Sequence, residues 1–377
     1  MKCFSIALMA LAALLFACTA PDKSAADTQP EGPLSWVTYS GQSGPGKGKH
    51  IVLISGDEEY RSEEALPQLG RILADQHGFT CTVLFAQNPE TPGLIDPNYL
   101  SNIPGLEALD AADLMVIFTR FRALPDAQMQ HIEDFLLNGR PVIGIRTATH
   151  AFNFKDNANP WYHYSNGYKG DKAEWEGGFG RLVLGEQWIS HHGWHKHQST
   201  RGLVAPGAEA HPIARGLDDV WGSTDVYGLR LPLPGDAQPV LLGQVLNRKG
   251  EYDDADRFFG LRPTDDEVAA TNPQREASGN PNDPMMPIAW TKSYQLPGGS
   301  TGKAFAATIG SSTDLLSEGV RRMYVNAAYW LLGLEVPARA KADLAGDYAP
   351  SPYSFHDDAH WQEKNLRVAD FAVQSAD

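Results

Sequence analysis

Short apolar runs alternate with amphipathic stretches along most of this chain. HIVLIS (50–55) predicts a buried strand, and the segment after it predicts a helix from Ser62 to His77, stopped by Gly78. FTCTVLF (79–85) predicts a second strand, with Phe79, Cys81, Val83 and Phe85 on one face. DLMVIFT (113–119) is a third. A helix follows from about Asp126, carries Met129, Ile132, Phe135 and Leu136 on one side, and ends at Gly139 before strand PVIGI (141–145). Residues 151–235 lose this regularity and form a long Trp/His-rich insertion. Strand patterns return at 238–246, 287–294 and 302–310, interrupted by a polar insertion at 251–284. A last helix is expected from Thr313 to Leu332, with Leu316, Val320, Met323, Ala327 and Leu331 as its buried stripe. Strands alternating with crossover helices imply an α/β fold, here a flavodoxin-like, doubly wound, mainly parallel sheet.

The ends of the chain differ from this middle. Met1-Lys2 and the apolar run Phe4–Ala17 have the form of a signal peptide (1–17). The run ends in Leu15-Phe16-Ala17-Cys18, which resembles a bacterial lipobox, so Cys18 is the expected lipidation site. Thr19 puts no acid after that cysteine, which favours outer-membrane anchoring of a periplasmic lipoprotein. Residues 18–47 read as a flexible linker, 48–335 as the folded domain and 336–377 as a polar tail.

Composition narrows the function. The 377 residues are 42% apolar and carry 31 basic against 46 acidic side chains, a formal charge of −15. An acidic chain without a Lys/Arg run lacks the phosphate-neutralising surface that nucleic acid requires. The membrane is therefore approached only through the N-terminal lipid. Insertion 251–284 holds nine acids against three bases, and the tail seven against four. The acidity is thus largely peripheral.

Ligands of open α/β sheets bind beyond the carboxyl ends of the strands. Glu58, Glu59 and Arg61 follow the first strand, Arg120 and Arg122 the third, and Arg146 and His150 the fourth. Arginine forks suit carboxylates, phosphates or vicinal hydroxyls, and about half of these arginines are expected in structural ion pairs. SHHGWHKHQSTRG (190–202) gathers His191, His192, His195 and His197. Sugar hydrogen bonding or proton transfer by one or two of them is the favoured role, with a divalent metal such as Zn²⁺ as the alternative. Trp194 and other rings of this stretch offer a platform for the apolar face of a sugar.

From HIVLISGDEEYR to the closing helix, several segments resemble the ThuA-like (trehalose utilisation) family of the class I glutamine amidotransferase-like superfamily. They are GIRTATHAF, HPIARGL (211–217), STDVYG (223–228), PIAWTKSY, GKAFAATIG and EGVRRMYVNAAYWLLG. The resemblance implies carbohydrate use on a disaccharide or an oxidised keto sugar. Amidotransferases carry their nucleophile as GICxGHQ, and Arg146 stands in that cysteine's place, so amide hydrolysis is not expected. Arg146 would then clamp a hydroxyl or oxyanion. Arg61 and Arg120 would orient the substrate, a histidine among 150, 191, 192 and 195 would move the proton, and Asp225 would orient that histidine. Glu58, Glu59, Arg122, Trp194 and Tyr227 complete the expected substrate site. The reaction, if one occurs, is hydrolysis, elimination or isomerisation. The alternatives are a non-catalytic sugar-binding module or a metal-dependent hydrolase using the 191–197 histidines. The oligomeric state is not legible.

Overall fold

The computed structural model describes residue 1 and residues 32–373. Cys18 and the signal segment lie outside the described residues. A ten-stranded mixed sheet forms the centre. In chain order its strands are β1 (Trp36–Ser40), β2 (His50–Gly56), β3 (Thr80–Phe85), β4 (Leu114–Thr119), β5 (Val142–Ile145), β7 (Gln198–Val204), β8 (Val220–Gly222), β10 (Gln238–Asn247), β11 (Met286–Tyr294) and β12 (Gly302–Ala307). A separate two-stranded ladder pairs β6 (Ser190–His191) with β9 (Tyr227–Gly228).

Across the sheet the order is β1-β3-β2-β4-β5-β12-β11-β10-β7-β8. Strands β3, β2, β4, β5 and β12 are mutually parallel, while β1 and the run from β11 to β8 pair antiparallel. The parallel part is buried on both faces, which is why β2 and β4 read as continuous apolar runs. Ile51 and Leu53 pack with α1 (Ser62–His77) and α3 (Glu318–Leu331). Val52 and Ile54 face the other side, with α2 (Asp126–Leu137).

The aromatic insertion is mostly core on the α2 side. Trp161, Tyr164, Tyr168 and Trp175 are buried there, among Phe152, Phe179 and Leu184. Cys81 is a buried hydrophobe whose thiol is pushed up by burial, as its strand pattern implied.

Three boundaries differ from expectation. Part of the expected linker is β1, which adds to β3 as an edge strand and buries Trp36, Val37 and Tyr39. Five residues amid Pro and Gly are too short a pattern to stand out. The expected polar tail is docked. It carries α4 (Asp358–Lys364) and buries Tyr353, Trp361 and Val368, each separated by polar residues that face water. The last long helix begins at Glu318 instead of Thr313, because the Ser317 hydroxyl accepts from the Val320 N–H and caps it. Among the described residues no helix is long and apolar enough to cross a membrane.

Candidate functional site

The parallel strands deliver their following turns to one edge. After β2, Asp57 organises the turn: its carboxylate accepts from the backbone N–H groups of Glu59 and Tyr60 and from the Thr147 hydroxyl. This fixes Glu58 and Glu59 at the strand end. After β5 the chain turns at Arg146, which adopts a left-handed φ of 42° and starts a 3-10 turn to His150. That left-handed backbone at a non-glycine residue marks a strained turn at the end of β5.

Arg146 is fully buried. It donates to the carbonyls of Thr308 (2.5 Å) and Asp225 (3.1 Å), to the Tyr60 hydroxyl (3.0 Å) and to Asp225 Oδ1 (3.1 Å). Its guanidinium lies between the rings of Tyr60 (4.1 Å) and Tyr227 (4.2 Å). Its Nε has no hydrogen-bond partner among the described residues. Burial opposes the charge on Arg146, yet Tyr227, Tyr60, Asp225 and Asp314 around it raise its pKa well above the usual range.

Asp225 is the centre of the cluster. Oδ2 accepts from His191 Nδ1 at 2.8 Å, and Oδ1 from His195 Nδ1 at 3.0 Å. His195 Nε2 reaches Glu59 Oε1 at 3.3 Å. Burial works against the Asp225 anion, but His191, His195 and Arg146 hold its carboxyl well below the usual range. Burial likewise disfavours the His195 cation, and hydrogen bonds to Asp225 and Glu59 outweigh it, raising its pKa to about 9. The side chains of His191 and His195 are 33% and 24% exposed, against none for Asp225. A buried, pre-oriented carboxylate thus holds two imidazoles whose outer edges meet solvent.

The remaining expected residues divide around this cluster. Arg120 stands at its mouth, paired with Glu58, 3.9 Å from Glu59, and stacked on Phe121 and Phe355. Glu58 bridges Arg120 and Arg122, and burial raises its carboxyl pKa against the pull of Arg122. Arg122 is buried and spent on the carbonyls of Gly56, Pro97 and Tyr99. Arg61 is also buried; it donates to the carbonyls of Glu58 and Ser354 and stacks on Trp361, so it ties down the tail. His150 lies behind the cluster among Phe121, Trp188 and Tyr227, and burial, then Arg120 and Arg146, keep its imidazole neutral. His192 turns away to the Pro281 carbonyl at 2.8 Å. Trp194 stacks face to face on His197, which stacks in turn on Tyr252. The structure therefore brings together Glu59, Arg120, Arg146, His191, His195, Asp225 and Tyr227, and leaves Arg61, Arg122, His150 and His192 as supports.

Sequence reasoning missed Tyr60, Thr308 and Tyr353. Tyr60 was visible inside GDEEYR, one residue beyond the acids singled out. Tyr353 packs 5.1 Å from the Tyr60 ring and 5.6 Å from His195, and nothing local in a polar tail announces that contact. A cavity of about 560 Å³ lies elsewhere, between α1 and the tail, lined by residues such as Gln68, Arg71 and Tyr348.

No protein-family profile matches the sequence, and no curated protein does. Among solved structures the chain is similar to a protein of Bacteroides uniformis described as ThuA-like, at 14% identity and a TM-score of 0.41, covering 78% of this chain and 95% of that one. It is similar also to a ThuA-like protein of Parabacteroides merdae, at 14% identity and a TM-score of 0.43, covering 82% and 98%.

Proposed function

We propose that this chain is a carbohydrate-processing protein of the bacterial cell envelope, anchored through lipid on Cys18, that takes a disaccharide or oxidised keto sugar at the strand C-terminal ends. The five parallel strands, in the order second, first, third, fourth, fifth, are read as a flavodoxin-like doubly wound unit. The observation that carries the proposal is the connected chain Arg146–Asp225–His195–Glu59 at that edge. Glu59, Arg120 and the two half-buried histidines present donors and acceptors of the kind that sugar hydroxyls need. Proton transfer falls to His195 or His191, oriented by Asp225. Arg146 fills the place of the amidotransferase nucleophile, so acyl transfer to a thiolate has no residue to use.

The test is a thermal-shift and turnover screen of the purified full chain against disaccharides and their 3-keto forms. Stabilisation with turnover, both lost in Asp225→Asn, is the expected result. Stabilisation without turnover assigns a binding module instead. No stabilisation and no turnover with any sugar overturns the proposal.

A further inference from the structure

We infer that His191, His195 and Asp225 form a binding site for a first-row divalent cation, Zn²⁺ being the best match. The inference rests on the reading that the strand-end cluster is the functional site, and it adds an ion to it. One donor atom from each residue lies within 4.8 Å of the others.

The fold builds this convergence. The β6–β9 ladder sets His191 opposite Tyr227, and Asp225, two residues before Tyr227, shares that face. The N–H groups of His192 and Gly193 both donate to the Val226 carbonyl and lock the register. Gly193 then lets the chain pass over Asp225: a Cβ there would lie 3.2 Å from the Asp225 Cβ. Lys196, at a φ of 61°, turns the loop back and leaves His195 beside Asp225.

Two of the three ligands, His195 and Asp225, are also held from behind. Glu59 lies 3.3 Å from His195 Nε2, the nitrogen that points away from Asp225. Ligating histidines usually donate their second N–H to a carboxylate in this way, which fixes the tautomer and aims the other lone pair at the ion. Arg146 holds Asp225 Oδ1 and leaves Oδ2 facing His191. His191 Nδ1 lies 2.8 Å from Asp225 Oδ2 and His195 Nδ1 3.0 Å from Oδ1, and one donor atom of each residue lies within 4.8 Å of the others, a spread that brackets the ~3.3 Å ligand–ligand separation of tetrahedral Zn²⁺ with bonds of about 2.0–2.1 Å. Rotation of the partly exposed His191 and His195 side chains away from Asp225 would open the space an ion needs.

Two imidazoles and one carboxylate, with no thiolate, suit zinc and its first-row neighbours better than Ca²⁺ or Mg²⁺. Three protein ligands leave a fourth position open on the solvent side, where His191 and His195 are exposed. That position would take water or a hydroxyl or keto oxygen of the sugar.

The experiment is metal analysis of the chelator-treated full chain after titration with Zn²⁺, followed by calorimetry, with no sugar present. One zinc per chain is expected. His191→Ala abolishes binding while Asp225 remains paired with Arg146 and His195, so a folding failure is not the expected cause; circular dichroism checks this. Glu59→Gln weakens binding roughly 10- to 100-fold. His360→Ala serves as the control for adventitious binding, since His356 and His360 stack face to face at 3.8 Å and belong to no group of three ligands among the described residues. It binds as the parent does. Substoichiometric zinc in the parent, or full binding by a folded His191→Ala chain, overturns the inference. Sugar stabilisation that persists in the zinc-free chain would leave the carbohydrate reading standing while the metal site fell. Zinc binding without any sugar response would do the reverse.

Discussion

Strands β2, β4, β5 and β12 all run the same way and end on one edge, so each following turn adds side chains to the same place. Glu59, Arg120, Arg146 and Thr308 arrive by this route. The antiparallel strands β7, β8, β10 and β11 alternate in direction and provide no shared edge. Their half of the molecule instead contributes His191, His195 and Asp225 from a small ladder and a loop lying outside the main sheet. The parallel half therefore places charge by topology, and the other half by local turns such as Gly193 and Lys196. The two halves meet at the Arg146–Asp225 pair, neither member of which is exposed.

Removing one partner of that pair is the most damaging way to break the arrangement. Arg146→Leu strands a buried Asp225 between two histidines and is expected to cost about 3–5 kcal/mol, read from urea unfolding. Arg146→Lys should not restore the parent stability, because an ammonium cannot reach Thr308, Tyr60 and Asp225 at once or stack between two rings.

Next in size is the tail, which spans both halves. Tyr353 packs on Tyr60, His195 and Phe259 and donates to the Ser223 carbonyl. Tyr353→Ala should lower stability by about 3 kcal/mol through the cavity it leaves, and loosen His195 at the same time. Unchanged unfolding in this variant would show that the tail contributes nothing to the cluster.

A smaller effect isolates the parallel half. Glu63, in the first turn of α1, is buried, and neither carboxylate oxygen is hydrogen-bonded among the described residues. Burial pushes its carboxyl up from 4.5 to about 7, against the pull of Arg61 at 3.7 Å. A carboxyl raised in the folded state gives its full stability below pH 4.5, where both states are protonated. That stability is lost as pH rises towards 7, because only the unfolded chain has already released the proton. Glu63→Gln should flatten this fall, which denaturation midpoints at pH 4.5, 6 and 8 would reveal. The smallest change in stability is expected for Arg120→Ala, because its mostly buried partner Glu58 keeps Arg122 as an ion-pair partner. Its effect should appear in sugar binding instead. A variant that binds sugar like the parent would move the mouth of the site away from Arg120.

Much of this was legible beforehand. The post-strand positions of Glu59, Arg120 and Arg146 follow from strand order, and Asp225 stood out in the STDVYG segment. The division of the arginines was not legible. Arg61 and Arg122 occupy the same kind of turn as Arg120, yet both point inward to backbone carbonyls. Likewise His192 and His195 differ only by three positions, and the turn at Gly193 sends one to Pro281 and the other to Asp225.

By itself the sequence determined the parallel strands and their helices, because burial on both faces demands continuous apolar runs, and it placed the polar turns at their ends. The tertiary structure alone decided which polar groups pair. Pairing depends on the direction a side chain takes from its turn and on what packs over it from distant segments, here the β6–β9 ladder and a tail more than a hundred residues away from the histidines it covers. Hydrophobic periodicity is local and survives in the chain order. The meeting of Arg146, Asp225, His191 and His195 is not local and exists only once the sheet has formed.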